Sequence, residues 1–137
     1  MNPRSGRWKT LGAGILAAVA MAAQAVAADT TPAAQLQRWQ QAAGANGDAV
    51  RGEQLFTRRG GNDLACSSCH HARPVVPGEH VSTGKAIDAL APAVNADAFT
   101  QERRADKWFR RNCRDVLARE CTPQEKADIL VWLIGLR

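Results

Sequence analysis

Apolar positions along this chain recur at the three- and four-residue spacing of helices, and no stretch shows a convincing two-residue alternation. Residues 29–43 predict a first helix. Thr31 caps it, Pro32 suits its first turn, Leu36 and Trp39 share a face, and Gly44 and Gly47 end it. A second runs over about 46–58, with Val50, Leu55 and Phe56 apolar and Gly60-Gly61 as its stop. Residues 73–94 form a long connector holding Pro74, Pro77, Gly78, Gly84 and Pro92, poor material for a compact core on its own. A third helix starts near Thr100 and passes Trp108 and Phe109 to about Cys113. The last is the clearest: Thr122-Pro123-Gln124-Glu125 reads as a capping box, followed by the stripe Ile129, Leu130, Leu133 and Ile134 with Trp132 beside it. The fold class is all-α.

The first residues follow a different logic. Arg4, Arg7 and Lys9 precede an apolar run over 11–21, and Ala25-Val26-Ala27 supplies a small-x-small cleavage site. Residues 1–27 therefore read as a secretory signal peptide cut near Ala27 or Ala28, with 28–137 as one domain in the periplasm. The run is too short for a stable membrane anchor. Losing Arg4, Arg7 and Lys9 takes the formal charge from +5 to +2. With no basic stretch interleaved with aromatics, nucleic acid is not an expected partner. Four cysteines suit an oxidising compartment, and two of them, Cys113 and Cys121, are available to pair with each other.

The other two belong to Cys66-Ser67-Ser68-Cys69-His70. Thiols at this spacing can each add to one vinyl group of a single haem, and the next histidine then lies beneath the iron. A zinc site would need further ligands at suitable spacing, and a thioredoxin-type motif would need a βαβ context. The expectation is one covalent haem c, held by Cys66 and Cys69, with His70 as proximal iron ligand. Such a group would also give the long connector an apolar body to wrap. Gly52, Phe56 and Trp132, flanking a capped final helix, look like the helix crossing of class I cytochromes c, in which the first and last helices meet at a glycine.

The sixth iron position is the open question. The only methionines are Met1 and Met21, both in the signal segment, so the usual His/Met pair is excluded. His71 adjoins the proximal ligand and cannot easily reach the opposite face. His80, in the connector, keeps a bis-histidine electron carrier (His70/His80) open, and Lys85, Lys107 and Lys126 read as solvated charges.

The segments Thr83-Gly84-Lys85, Leu90-Ala91-Pro92, and Arg111-Asn112-Cys113 through Cys121-Thr122-Pro123-Gln124-Glu125-Lys126-Ala127-Asp128 resemble sphaeroides haem protein. That family comprises small monohaem cytochromes c that bind diatomic gases. The resemblance spans about 31–136 and implies Asn112 as a displaceable sixth ligand and a disulfide between Cys113 and Cys121. It also marks a departure, since His71 stands where related chains often carry glycine. A neutral amide is a weak, hard donor better matched to ferric than ferrous iron, so reduction would open the position to oxygen or nitric oxide. By helical spacing, Trp108, Phe109 and Val116 lie near Asn112 and could line the pocket.

Arg103, Arg104, Arg110, Arg111 and Arg114 read mainly as a solvated face, with haem propionates or an acidic redox partner, such as another cytochrome, as the functional alternatives. No acid/base pair or nucleophilic triad points to catalysis on an organic substrate. Reductase or oxidase activity toward a diatomic gas stays open.

Overall fold

The computed structural model describes residues 28–137, so the signal-peptide expectation for 1–27 lies outside the described residues. Five helices and one small hairpin follow in order: α1 (Pro32–Ala43), α2 (Ala49–Thr57), α3 (Ser67–His70), β1 (Gly78–Glu79), β2 (Ala86–Ile87), α4 (Glu102–Leu117) and α5 (Pro123–Gly135). Among these none is long and apolar enough to cross a membrane.

Residues named from the sequence set both ends of α1 and the start of α5. The Thr31 hydroxyl accepts the Ala34 N–H at 3.1 Å, and Gly44 closes α1 in the left-handed region at φ +68°. Asp48 caps α2 by accepting the Arg51 N–H at 2.9 Å, so this helix starts later than the apolar pattern implied. In α5, Thr122 and Glu125 exchange the two bonds of a capping box.

The expected crossing exists, between α2 and α5. At Gly52 the helices meet so closely that a Cβ would lie 2.0 Å from the Asp128 carbonyl oxygen. Phe56 and Trp132 fill the contact with ring centroids 4.9 Å apart, and Leu55, Ile129, Leu133, Leu136 and Ala91 complete the core. Each large side chain buried there contributes about 1.5–3 kcal/mol over leaving it exposed. The helix α1 packs on α5 as well, so α5 is flanked by both.

Polar groups seal the α2–α5 contact at its end. Asp128, 4% exposed, accepts from Asp48 N–H at 2.7 Å, Arg51 Nε at 2.8 Å and Nη2 at 2.9 Å, and Gln124 Nε2 at 2.8 Å.

Two expectations about the elements need correction. The third helix does not stop near Cys113 but runs to Leu117, ended by Ala118 at φ +58°. The connector also contains the β1–β2 hairpin, with Gly78 opposite Ile87 and Glu79 opposite Ala86. Its turn is closed by His80 N–H donating to Lys85 O (2.9 Å) and Gly84 N–H donating to His80 O (2.9 Å). Two-residue strands carry no periodicity to read.

Candidate haem site

Cys66, Cys69 and His70 sit within one short turn. Cys66 leads into α3, its carbonyl accepting the N–H groups of Cys69 (3.2 Å) and His70 (3.1 Å), while Ser68 Oγ accepts from Ala65 N–H at 3.0 Å. Both thiols are free and half-buried. Burial pushes the Cys66 thiol up to about 11, aided by Cys69 nearby. A neutral thioether is at home in such a site. Cys113 and Cys121 are bridged to each other, with Cα atoms 5.6 Å apart, and so cannot join Cys66 and Cys69 around a zinc ion.

His70 is half-buried. Neither ring nitrogen has a hydrogen-bond partner among the described residues, and Nδ1 is fully buried. Burial, then the neighbouring His71, lowers its pKa, which keeps the imidazole neutral, the form that binds a metal. Its ring lies 6.2 Å from Phe56, so the helix crossing runs through Phe56 directly into this turn.

The chain closes on the turn from behind. A Cβ on Gly78 would lie 2.0 Å from the Cys69 carbonyl oxygen, so only glycine lets the connector pass. His71 adopts φ +62° and ψ +162°, a region essentially reserved for glycine, while its Nε2 lies 3.2 Å from Pro77 O. The histidine-for-glycine departure thus falls on a backbone conformation that suits glycine. Strain of this kind costs roughly 1–3 kcal/mol, offset in part by glycine's larger unfolded-state entropy. His71→Gly should therefore raise stability by roughly 1 kcal/mol in chemical denaturation; a lower midpoint would show that the Pro77 contact outweighs the strain.

Asn112 stands on α4, a separate element. By helical spacing its side chain shares the inward face with Ala105, Phe109 and Val116; it is half-buried and makes no hydrogen bond among the described residues. Trp108, one turn before Asn112, is 41% exposed, with Lys107 and Arg111 each 5.6 Å from its ring centre. Phe99, which the sequence reading did not single out, packs near Phe109 at 6.3 Å, and Trp39 meets Phe109 edge-on at 6.4 Å.

The helix α4 makes no extensive contact with another helix. Its C-terminal end is held instead by the Cys113–Cys121 bridge and by the loop before α3. There Asn62 Nδ2 donates to Arg114 O at 3.2 Å and Asp115 O at 2.9 Å, and a Cβ on Gly60 would lie 2.3 Å from Val116 O. Leu90, Phe99, Phe109 and Leu117 remain only partly covered at the edge of the core. A helix face met only at its edge by Trp39 of α1, together with two free thiols and an unpartnered imidazole in the α3 turn, fits a flat apolar group that bonds to thiol and imidazole. A separate cavity of about 360 Å³, lined by Val75, Pro77, Asp88, Ala89, Val94, Asn95 and Asp97, touches none of the four predicted haem residues.

Comparison with known proteins agrees with this geometry. A cytochrome c-type protein, SHP, from Cereibacter sphaeroides is 46% identical over 123 residues, covering 87% of this chain and 94% of its own. The chain belongs to the SHP family of c-type cytochromes. Residues 42–133 also match the family model described as a domain of unknown function, DUF1924. The structure of oxidized SHP, described as an oxygen binding cytochrome c, superposes with a TM-score of 0.72 at 43% identity, covering 77% of this chain and 96% of that one. The crystal structure of oxidized cytochrome c'' from Methylophilus methylotrophus also gives 0.72, at 28% identity over 77% of this chain and 94% of its own. In SHP-family terms, α1 through α5 are the family's helical fold, and covalent haem attachment is what membership implies.

Proposed function

We propose that this protein carries one haem c on Cys66 and Cys69, with His70 as proximal ligand and Asn112 as a displaceable distal one. It accepts an electron from a redox partner and then binds a diatomic gas, oxygen foremost and nitric oxide by the same chemistry. The observation that carries this reading is the Asn112 carboxamide, half-buried on the inward face of α4 without a protein partner. Residues 28–137 contain no methionine to compete with it. The haem supplies a redox-active iron with two axial positions. His70 fills one through a neutral imidazole kept from protonation by burial. Asn112 offers a hard, neutral donor that weakens as iron charge falls. The bridge at Cys113, next in sequence, limits how far the released side chain can travel. Oxidized SHP is an oxygen-binding cytochrome c, which supports the choice of gas.

His80 fits the sixth position less well. Its Nδ1 accepts the Ser82 N–H at 3.3 Å inside the hairpin turn. That role puts the ring proton on Nε2, the nitrogen that would otherwise face a metal.

The test is optical. The reduced protein should turn high-spin and take up carbon monoxide rapidly, and Asn112→Ala should change the ferric spectrum while His80→Ala leaves it unaltered. A low-spin ferrous spectrum indifferent to carbon monoxide, or the reverse pattern of mutants, would sink the proposal.

A further inference from the structure

The outer face of α4 carries a charge pattern that helix stability does not explain. Six cations stand in its sixteen residues against three acids, and all six are exposed. Two of the acids are turned elsewhere: Glu102 lies 3.9 Å and Asp106 2.6 Å from Arg38 of α1. Arg111 meets Asp115 at 3.7 Å, and Arg114 meets Glu120. Arg103, Arg104, Lys107 and Arg110 have no acidic partner among the described residues.

This arrangement works against the helix. Arg103 and Arg104 occupy the first turn, where the helix dipole disfavours cations. Arg103 with Lys107, Lys107 with Arg111, and Arg110 with Arg114 are like-charge pairs four residues apart, each unfavourable. A face shaped for solvation alone would alternate its signs along these rows. Among the cations sits Trp108, 41% exposed, with Lys107 and Arg111 each 5.6 Å from its ring centre. An exposed tryptophan between a lysine and an arginine has a composition met at interface hot spots.

We propose that this face of α4 is a docking surface for the acidic patch of a one-electron donor protein. The inference rests on the reading that the chain takes up an electron. Residues 28–137 carry only +2, so attraction is local to this face and orients the encounter. By helical spacing Arg103, Lys107, Arg110 and Arg114 lie on the side of α4 opposite Asn112. One tryptophan falls short of a stacking platform for nucleic acid, and no further apolar side chain stands among them to enter a lipid surface. The exchange moves one electron from the donor's reduced centre to the ferric iron, with no bond made or broken between the proteins.

The experiment mixes the holoprotein in stopped flow with a reduced [2Fe–2S] ferredoxin, an acidic one-electron donor, across a salt series. Replacing Arg103, Arg104, Lys107 and Arg110 together by Gln should slow reduction about tenfold or more and flatten the salt dependence. Trp108→Ala should slow it several-fold with the salt slope kept. The control Arg58→Gln/Arg59→Gln should leave the rate near wild type. The quadruple variant should melt at or above the wild-type temperature, since it removes repulsion. An unchanged rate, an equal loss in the control, or a lower melting temperature would overturn the proposal. So would α4-dependent binding to phosphatidylglycerol vesicles or duplex DNA while ferredoxin reduction stays intact. Dithionite reduction with carbon monoxide reads the gas-binding proposal separately. Its failure there leaves the ferredoxin comparison interpretable.

Discussion

Gly52→Ala should destabilise the holoprotein by roughly 3 kcal/mol or more, at the upper end for overpacked cores. The added methyl would have to occupy space 2.0 Å from the Asp128 carbonyl oxygen and 3.0 Å from the Ile129 N atom, both backbone. Backbone cannot swing aside as a flexible side chain does, so α2 and α5 must separate along their crossing. Separation strips Phe56 from Trp132 and loosens the ring that stands 6.2 Å from His70. Denaturant titration should show a large fall in midpoint together with a disturbed haem spectrum before unfolding. Gly135→Ala makes the control. Nothing lies within 4 Å of a Cβ there, and alanine at the end of α5 should leave stability level or slightly raised. Equal midpoints for the two variants would disprove the close crossing.

Asp128→Ala should cost about 2–3 kcal/mol, below the figure for a fully buried ion pair because half-exposed Arg51 rehydrates when its partner is lost. The deletion leaves the Asp48 N–H without its acceptor at the same crossing and the Gln124 amide with only the Asn46 carbonyl. The same carboxylate predicts how stability depends on pH. Burial pushes its pKa up, but Arg51, the Asp48 N–H and Gln124 together hold it below the ordinary carboxylate range. Its contribution is therefore complete above the unfolded value near ~3.9 and is lost as pH falls through the lower folded value. Glu125, held down chiefly by Arg119 and then by its cap bonds to Thr122, acts with the same sign. Acid titration of the denaturation midpoint should show this loss in wild type, and a smaller one in Asp128→Ala. A pH profile identical in both would place the acid sensitivity elsewhere.

What the residues made legible follows from how local the signal was. Caps at Thr31 and Thr122, and the crossing glycine with its aromatics, depend on short-range chemistry and appear where expected. The last turn of α4 did not show, because Ala118 in the left-handed region is a stop that alanine does not advertise. The haem turn could be read from five consecutive residues. The proposed ligand could not, since nothing in the chemistry of one asparagine in a helix separates it from ordinary polar residues. Its distinction lies in an unpartnered inward face and in resemblance to relatives.

The placement of the four sulfur atoms has a consequence for biosynthesis. Four thiols admit three complete pairings, and the proposed holoprotein uses none of them: Cys113 and Cys121 are bridged, while Cys66 and Cys69 are reserved for the haem. The first pair therefore needs an oxidant, and any bond between the second pair must be reduced before the haem can add. Cys113 and Cys121 close a short local loop that the α4–α5 junction itself brings together, so that bridge can form early. Once it is closed, Cys66 and Cys69 have no other thiol in the chain to mispair with and need only be kept from each other. Sequence proximity thus sets a timetable for maturation, in which the structural sulfurs are withdrawn from exchange before the cofactor arrives.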